Sequence, residues 1–141
     1  MKVCIQYCHG LCNPATTAAR IACYVVAEQT LGAKLCDLGC GPALEAGVEE
    51  DVEFIRNDPV VAVDCCEKHC AHRLLDLHSA RIHAHLRADE ILRGHGIDPD
   101  ALDHFALHID HPAVLILTEE ITAIASEVLG ADVPPEEVTA G

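Results

Sequence analysis

The sequence predicts an α/β fold: a three-layer sandwich with a small, parallel, Rossmann-like sheet of about four strands, followed by C-terminal helices. Three observations carry this expectation. Short apolar runs rich in β-branched residues alternate with helical stretches of about 10 to 18 residues, the pattern of βαβ units with helices on both faces of a sheet. At 141 residues the chain has the length of one domain and needs no staples to bury a core. The residues are 50% hydrophobic but only 3% aromatic, with no Trp, so that core must be built from Ala, Val, Ile and Leu.

The central element is Val60-Val61-Ala62-Val63, a continuous apolar run behind Asp58-Pro59 that reads as a fully buried strand. The first strand is Val3 to Tyr7. Asn13 and Pro14 then offer an N-cap and a first helical residue for a helix from about Pro14 to Leu31, closed by Gly32, with Ala18, Ile21, Ala22, Val25 and Val26 as its buried stripe. The second strand, from about Ala33 to Leu38, is the weakest. Val48, Val52 and Ile55 recur at helical spacing among Glu45, Glu49, Glu50, Asp51 and Glu53, marking a surface helix that ends before Asp58. Glu67 to Leu77 has helical composition, with Cys70, Leu74 and Leu77 on one face. Arg81 to Leu86 alternates as a fourth strand should, and a short helix follows from Ala88 to Arg93.

Beyond Gly96, Asp98-Pro99 and Asp110-His111-Pro112 look like the starts of two helices. In the second, Val114, Leu117, Ile121, Ile124 and Val128 form an apolar stripe up to Gly130 that would pack on the domain or serve as a homodimer seam. An alternative makes Ala113 to Leu117 a strand, with Thr118 capping a shorter helix. The expected division is an α/β metal-binding part over 1–95, a helical extension of the same domain over 96–130, and a flexible tail over 131–141.

Charge and composition narrow the partners. A net charge of −14 repels phosphate backbones and anionic lipid surfaces, which argues against nucleic acid and membranes. No apolar stretch approaches the roughly 20 residues of a membrane span, and Met1 to Gln6 lacks the features of a signal peptide, so a cytoplasmic location is expected. In a reducing compartment, nine cysteines argue for metal binding or redox chemistry over structural disulfides.

Cys8, Cys40 and Cys66 each lie at or just past the carboxyl end of a different predicted strand, and Cys70 is one helical turn beyond Cys66. Ligands of open α/β sheets bind at those ends. Four thiolates there suit Zn²⁺, or an iron–sulfur cluster, and helix N-termini nearby favour the anionic ligand form. Asp64-Cys65-Cys66-Glu67-Lys68-His69-Cys70, Tyr7-Cys8-His9-Gly10 and Cys40-Gly41-Pro42-Ala43-Leu44-Glu45-Ala46-Gly47 resemble the DGC family of zinc-binding proteins, named for an Asp-Gly-Cys motif that opens a D-G-C-x3-C segment. The resemblance covers about residues 1–95. It implies an α/β domain with four cysteine zinc ligands, matching Cys8, Cys40, Cys66 and Cys70, and it implies no settled activity. Cys65 stands where the family has glycine.

That departure makes Cys65 a fifth candidate ligand or a redox partner. Lying among helix N-terminal amides, it is expected, with metal bound, to react faster with alkylating reagents than Cys66 or Cys70; the competing expectation turns it into the core. Cys12 and Cys36 are further additions, and Cys4 and Cys23 read as small core residues. His9, His69 and His72 are lesser ligand candidates. His104, His108 and His111 make an H-x3-H-x2-H pattern that suits either a second metal or a polar helix face. The leading functional expectation is therefore a structural, sensing or metal-handling zinc site, with the metal ion as partner. The enzyme-class alternative has the same cysteines hold an iron–sulfur cluster or pass disulfides or sulfur.

Overall fold

The structure, a computed structural model, describes residues 1–11 and 13–132. Its sheet has four strands: β1 (Val3–Tyr7), β2 (Cys36–Leu38), β3 (Val60–Asp64) and β4 (Ala84–Arg87). All pairings are parallel and the order is β2-β1-β3-β4, with Ile5 opposite Leu38 on one side and Val61 on the other. β1 and β3 are the central pair, and every residue in both is buried. Buried on two faces, they can afford continuous apolar runs.

Alternation sorts those runs between two cores. Val3, Ile5 and Tyr7 of β1, with Val61 and Val63 of β3, face a layer formed by α1 (Pro14–Val25), α5 (Ala88–Gly94) and α6 (Pro112–Asp132). Cys4 of β1, with Val60 and Ala62 of β3, faces the other layer: α2 (Gly41–Glu45), α3 (Glu49–Asn57) and α4 (Cys70–Leu77). The three-layer sandwich is thus the one the sequence predicts, with an aliphatic core.

Element boundaries depart from expectation in instructive places. The second strand keeps only Cys36–Leu38 of the expected six residues, since Ala33 to Leu35 form a turn after Gly32, whose φ of 85° suits glycine. The first helix continues past Val25 as a π-helical turn, Val26–Thr30. Gly41–Glu45, not foreseen as a helix, starts on Pro42 within its first turn. The expected helix at Asp98-Pro99 is corrected to two single 3₁₀ turns, Pro99–Ala101 and His104–Ala106, each opened by an Asp side chain that accepts a backbone N–H two residues on. Such local caps compete with helix propagation. The strand alternative for Ala113 to Leu117 is overturned, because all five residues lie in α6.

The α6 stripe is spent inside the chain. Val114, Leu117 and Ile121 are fully buried and belong to the same core as Ala18, Ala22 and Val26 of the α1 region. Beyond Asp132, the expected tail lies outside the described residues, as does Cys12. Among the described residues no helix is long and apolar enough to cross a membrane.

Candidate metal centre

The chain leaves β1 for α1 on one face of the sheet and leaves β3 for α4 on the other. Neighbouring parallel strands whose helices depart on opposite faces open a crevice at their carboxyl ends. Here that crevice is lined by Cys8, Asn13 and Thr16 from the first turn and by Asp64, Cys66 and Cys70 from the second, with Cys65 and His69 also on its wall. Its volume is about 10 Å³, room for a single small ion or water and for no organic substrate. Among the described residues, two of the three non-glycine residues with left-handed backbone, His9 (φ 57°) and His69 (φ 55°), sit in these two turns. Such conformations concentrate where a site dictates the backbone.

Asp64 organises the second turn. Alternation puts its side chain on the α4 face, where it is fully buried. His69, at the N-cap position of α4, makes no side-chain cap in its left-handed conformation. Asp64 supplies the cap instead: Oδ1 accepts the Ala71 N–H at 2.7 Å and Oδ2 accepts the His72 N–H at 3.3 Å. Oδ2 also lies 2.7 Å from His85 Nε2. His85 pairs with Ala62 across the β3–β4 ladder, and Ala62 and Asp64 share a face, so the ring necessarily lies on the Asp64 side.

Around this carboxylate the rings of His69 and His72 each lie 5.1 Å from that of His85. Among the described residues, the set with one donor atom each within 4.8 Å of one another, close enough to hold a metal ion, is Asp64, His69 and His85. His69 was among the ligand candidates of the sequence; His85 was not, and Asp64 entered only as part of the motif. The one signal for His85 was its alternating place in the fourth strand, which points to Asp64 only once β4 is known to pair with β3.

The four cysteines are arranged unequally. Cys8, Cys66 and Cys70 line the crevice, whereas Cys40 lines a separate cleft of about 420 Å³ beyond β2, with Tyr7, His9, Tyr24, Cys36 and Asp37. His9 stands on that cleft and stacks on Tyr7 with ring centres 3.9 Å apart. Its Nδ1 lies 2.9 Å from the Tyr7 carbonyl, so this nitrogen carries the proton that is donated and Nε2 keeps its lone pair. Gly41 packs against the ring: a Cβ there would lie 2.8 Å from His9 Nδ1.

Cys8 and Cys65 share a hydrogen bond with their sulfurs 3.4 Å apart. Cys65 is the deeper of the two, 2% exposed, and its thiol is pushed up by that bond and by burial. Cys8 is correspondingly drawn down to about 6 by the Cys65 thiol, against the opposing effect of burial, with help from the Gly10 N–H and the Thr16 hydroxyl. Cys8 is thus drawn toward the thiolate, the form that binds metal.

The expectation that Cys65 is the reactive extra thiol is corrected. The alternation of Val61 and Val63 continues past the strand end and carries Cys65 into the α1-side core. Position 65 has no left-handed φ, so a side chain replaces the family's glycine without strain. In the presence of a chelator, brief iodoacetamide treatment and peptide mapping should label Cys8 well ahead of Cys65; equal labelling would contradict this burial.

Cys4, Cys23 and Cys36 are buried as well. Burial pushes the Cys4 and Cys23 thiols far up and Cys36 up to about 12, which makes them inert core residues. His108 and His111 lie ring to ring, 6.2 Å apart, but among the described residues the H-x3-H-x2-H histidines form no three-donor set. His104 Nδ1 bonds the Thr17 hydroxyl at 2.6 Å, while His108 and His111 accept the backbone N–H groups of Asp110 and Ala113.

No curated protein and no solved structure matches the chain. A family model does: the DGC domain matches residues 4–109, reaching past the last motif that carries the resemblance. With its motif cysteines at the ends of β1, β2 and β3 and three-quarters of its length matched, the chain belongs to the DGC domain family.

Proposed function

We propose that this protein binds zinc through Cys8, Cys66 and Cys70, with Cys40 as fourth ligand, in a structural, sensing or metal-handling role. The observation that carries this reading is the crevice between β1 and β3: it is ion-sized, three of these thiols line it, and one of them is already drawn toward the thiolate. The donor chemistry fits, since thiolates select borderline and soft ions such as zinc. When bound, the ion would tie the β1 and β3 turns together. Four thiolates would close its coordination, leaving no position for a substrate. Cys40 lines the neighbouring cleft, where the Nε2 lone pair of His9 offers a competing donor.

The test compares metal content across three variants. Cys66→Ser and Cys70→Ser should each lose stoichiometric zinc, and Cys23→Ser, altered only inside α1, should keep it. Equal zinc in all three would show that the site lies elsewhere. A Cys40→Ser variant that keeps its zinc would hand the fourth position to another donor.

The Cys8–Cys65 contact favours a second reading, thiol redox chemistry. A low-pKa, half-buried thiolate 3.4 Å from a second sulfur is placed as redox-sensing cysteines are. In the metal-free protein, hydrogen peroxide would transfer one oxygen to the Cys8 thiolate to give a sulfenic acid. Attack by the Cys65 sulfur would then form the disulfide and release water. A Cys8–Cys65 disulfide in peptide maps after peroxide treatment supports this reading, and oxidation confined to Cys66 and Cys70 opposes it.

A further inference from the structure

We propose that Asp64, His69 and His85 form a second site, of oxygen and nitrogen donors, for a divalent first-row transition-metal ion, distinct from the cysteine site and sharing a wall with it. The inference stands whether or not the cysteines hold zinc. Its basis is the convergence of three donor atoms within 4.8 Å of one another from three elements: the end of β3, the cap of α4 and edge strand β4. Ligands held about 2.1 Å from one ion lie roughly 3 Å apart, so His85 Nε2 and Asp64 Oδ2, hydrogen-bonded at 2.7 Å, need to part by only a few tenths of an ångström to admit one.

Preorganisation separates this cluster from a chance meeting of side chains. Asp64 is fully buried and cannot swing, because two N–H groups of α4 hold its carboxylate. Those same bonds are the outer contacts that orient a metal-binding carboxylate and fix its charge. His69 adopts a left-handed backbone without providing the helix cap, and its ring is spent on the cluster. The histidines remain partly open to solvent, which supplies the entry path.

Donor type sets the class of ion. Two imidazoles and one carboxylate favour Zn²⁺, Co²⁺, Ni²⁺ or Fe²⁺ over Mg²⁺ and Ca²⁺, which prefer all-oxygen shells. Three protein ligands also leave positions open, in contrast to a closed four-thiolate centre. His72, whose Nδ1 is 3.2 Å from Asp76, flanks the group without joining it.

Anaerobic titration of the full, reduced chain with Co²⁺ tests the proposal. Thiolate ligands give intense sulfur-to-cobalt charge transfer in the near ultraviolet, whereas imidazole and carboxylate ligands give only weak visible bands. The expected result is two equivalents, one with and one without charge transfer. His85→Gln should weaken the second by at least about tenfold and leave charge transfer intact. Paired Cys66→Ser and Cys70→Ser substitutions should do the converse, so failure of the cysteine reading and failure of this one are distinguishable. Should a variant misfold, Zn²⁺ titration of the wild type followed by histidine side-chain nitrogen NMR replaces it: His69 and His85 should shift and His104 should not. Unchanged binding in His85→Gln, or unmoved His69 and His85 signals, overturns the proposal. So does one equivalent that needs His85 and shows charge transfer.

Discussion

Asp64→Ala, measured by urea or thermal unfolding in the presence of a chelator, is expected to destabilise the protein by about 3 kcal/mol. The buried carboxylate bonds two N–H groups of α4, which caps the helix, and the His85 ring, and each bond contributes about 1 kcal/mol net because its partner is partly rehydrated when the carboxylate is lost. For a chain of this length the drop in Tm should be roughly 10 °C. Asp64→Asn keeps one acceptor for the Ala71 N–H and should lose about half as much. Working without metal excludes any contribution from ligand binding. A cost below 1 kcal/mol for Asp64→Ala would show that α4 does not depend on this cap.

Leu117→Ala should be of similar size, about 3 kcal/mol, because the side chain is fully buried where α6 closes over α1 and the sheet, and its removal leaves a cavity. Leu115, two residues earlier and 52% exposed, is the control: Leu115→Ala should change stability by less than about 0.5 kcal/mol. Similar effects at the two positions would mean that α6 is rotated from the register described here, or that Leu115 is covered by a second copy of the chain.

The legible parts of the fold are those in which a local pattern and the global architecture agree. Val60 to Val63 has no competing interpretation, since a short β-branched run closed by Asp-Pro suits a buried strand and little else. The α6 stripe is equally plain in its spacing. What its spacing does not reveal is the surface it covers, which depends on contacts with α1, some hundred residues earlier in the chain. The segment from Asp98 to Asp103 misleads for a specific reason: Asp-Pro marks a helix start, yet here each Asp caps a single turn and the chain then leaves the helical region.

The site divides in the same way. Placing cysteines at strand ends needs only the strand boundaries, and Cys8, Cys66 and Cys70 accordingly meet in one crevice. The strand order decides the rest. β2 lies on the far side of β1 from β3, so Cys40 lines another cleft, and β4 lies beside β3, so His85 reaches Asp64. Cys65 shows the limit of arguing from adjacency along the chain, because one residue of alternation moves a side chain to the opposite face of a sheet.

The central claim, zinc held by cysteines in the crevice, is tested most directly by elemental analysis of anaerobically purified protein together with its ultraviolet–visible spectrum. The expected sample is colourless, retains about one zinc per chain after desalting against a mild chelator that strips the nitrogen and oxygen site but not the thiolate site, and has no band near 400 nm, as a d¹⁰ ion with thiolate ligands requires. A brown sample with iron and acid-labile sulfide, or a protein that retains no zinc while its cysteines are fully reduced, would contradict it.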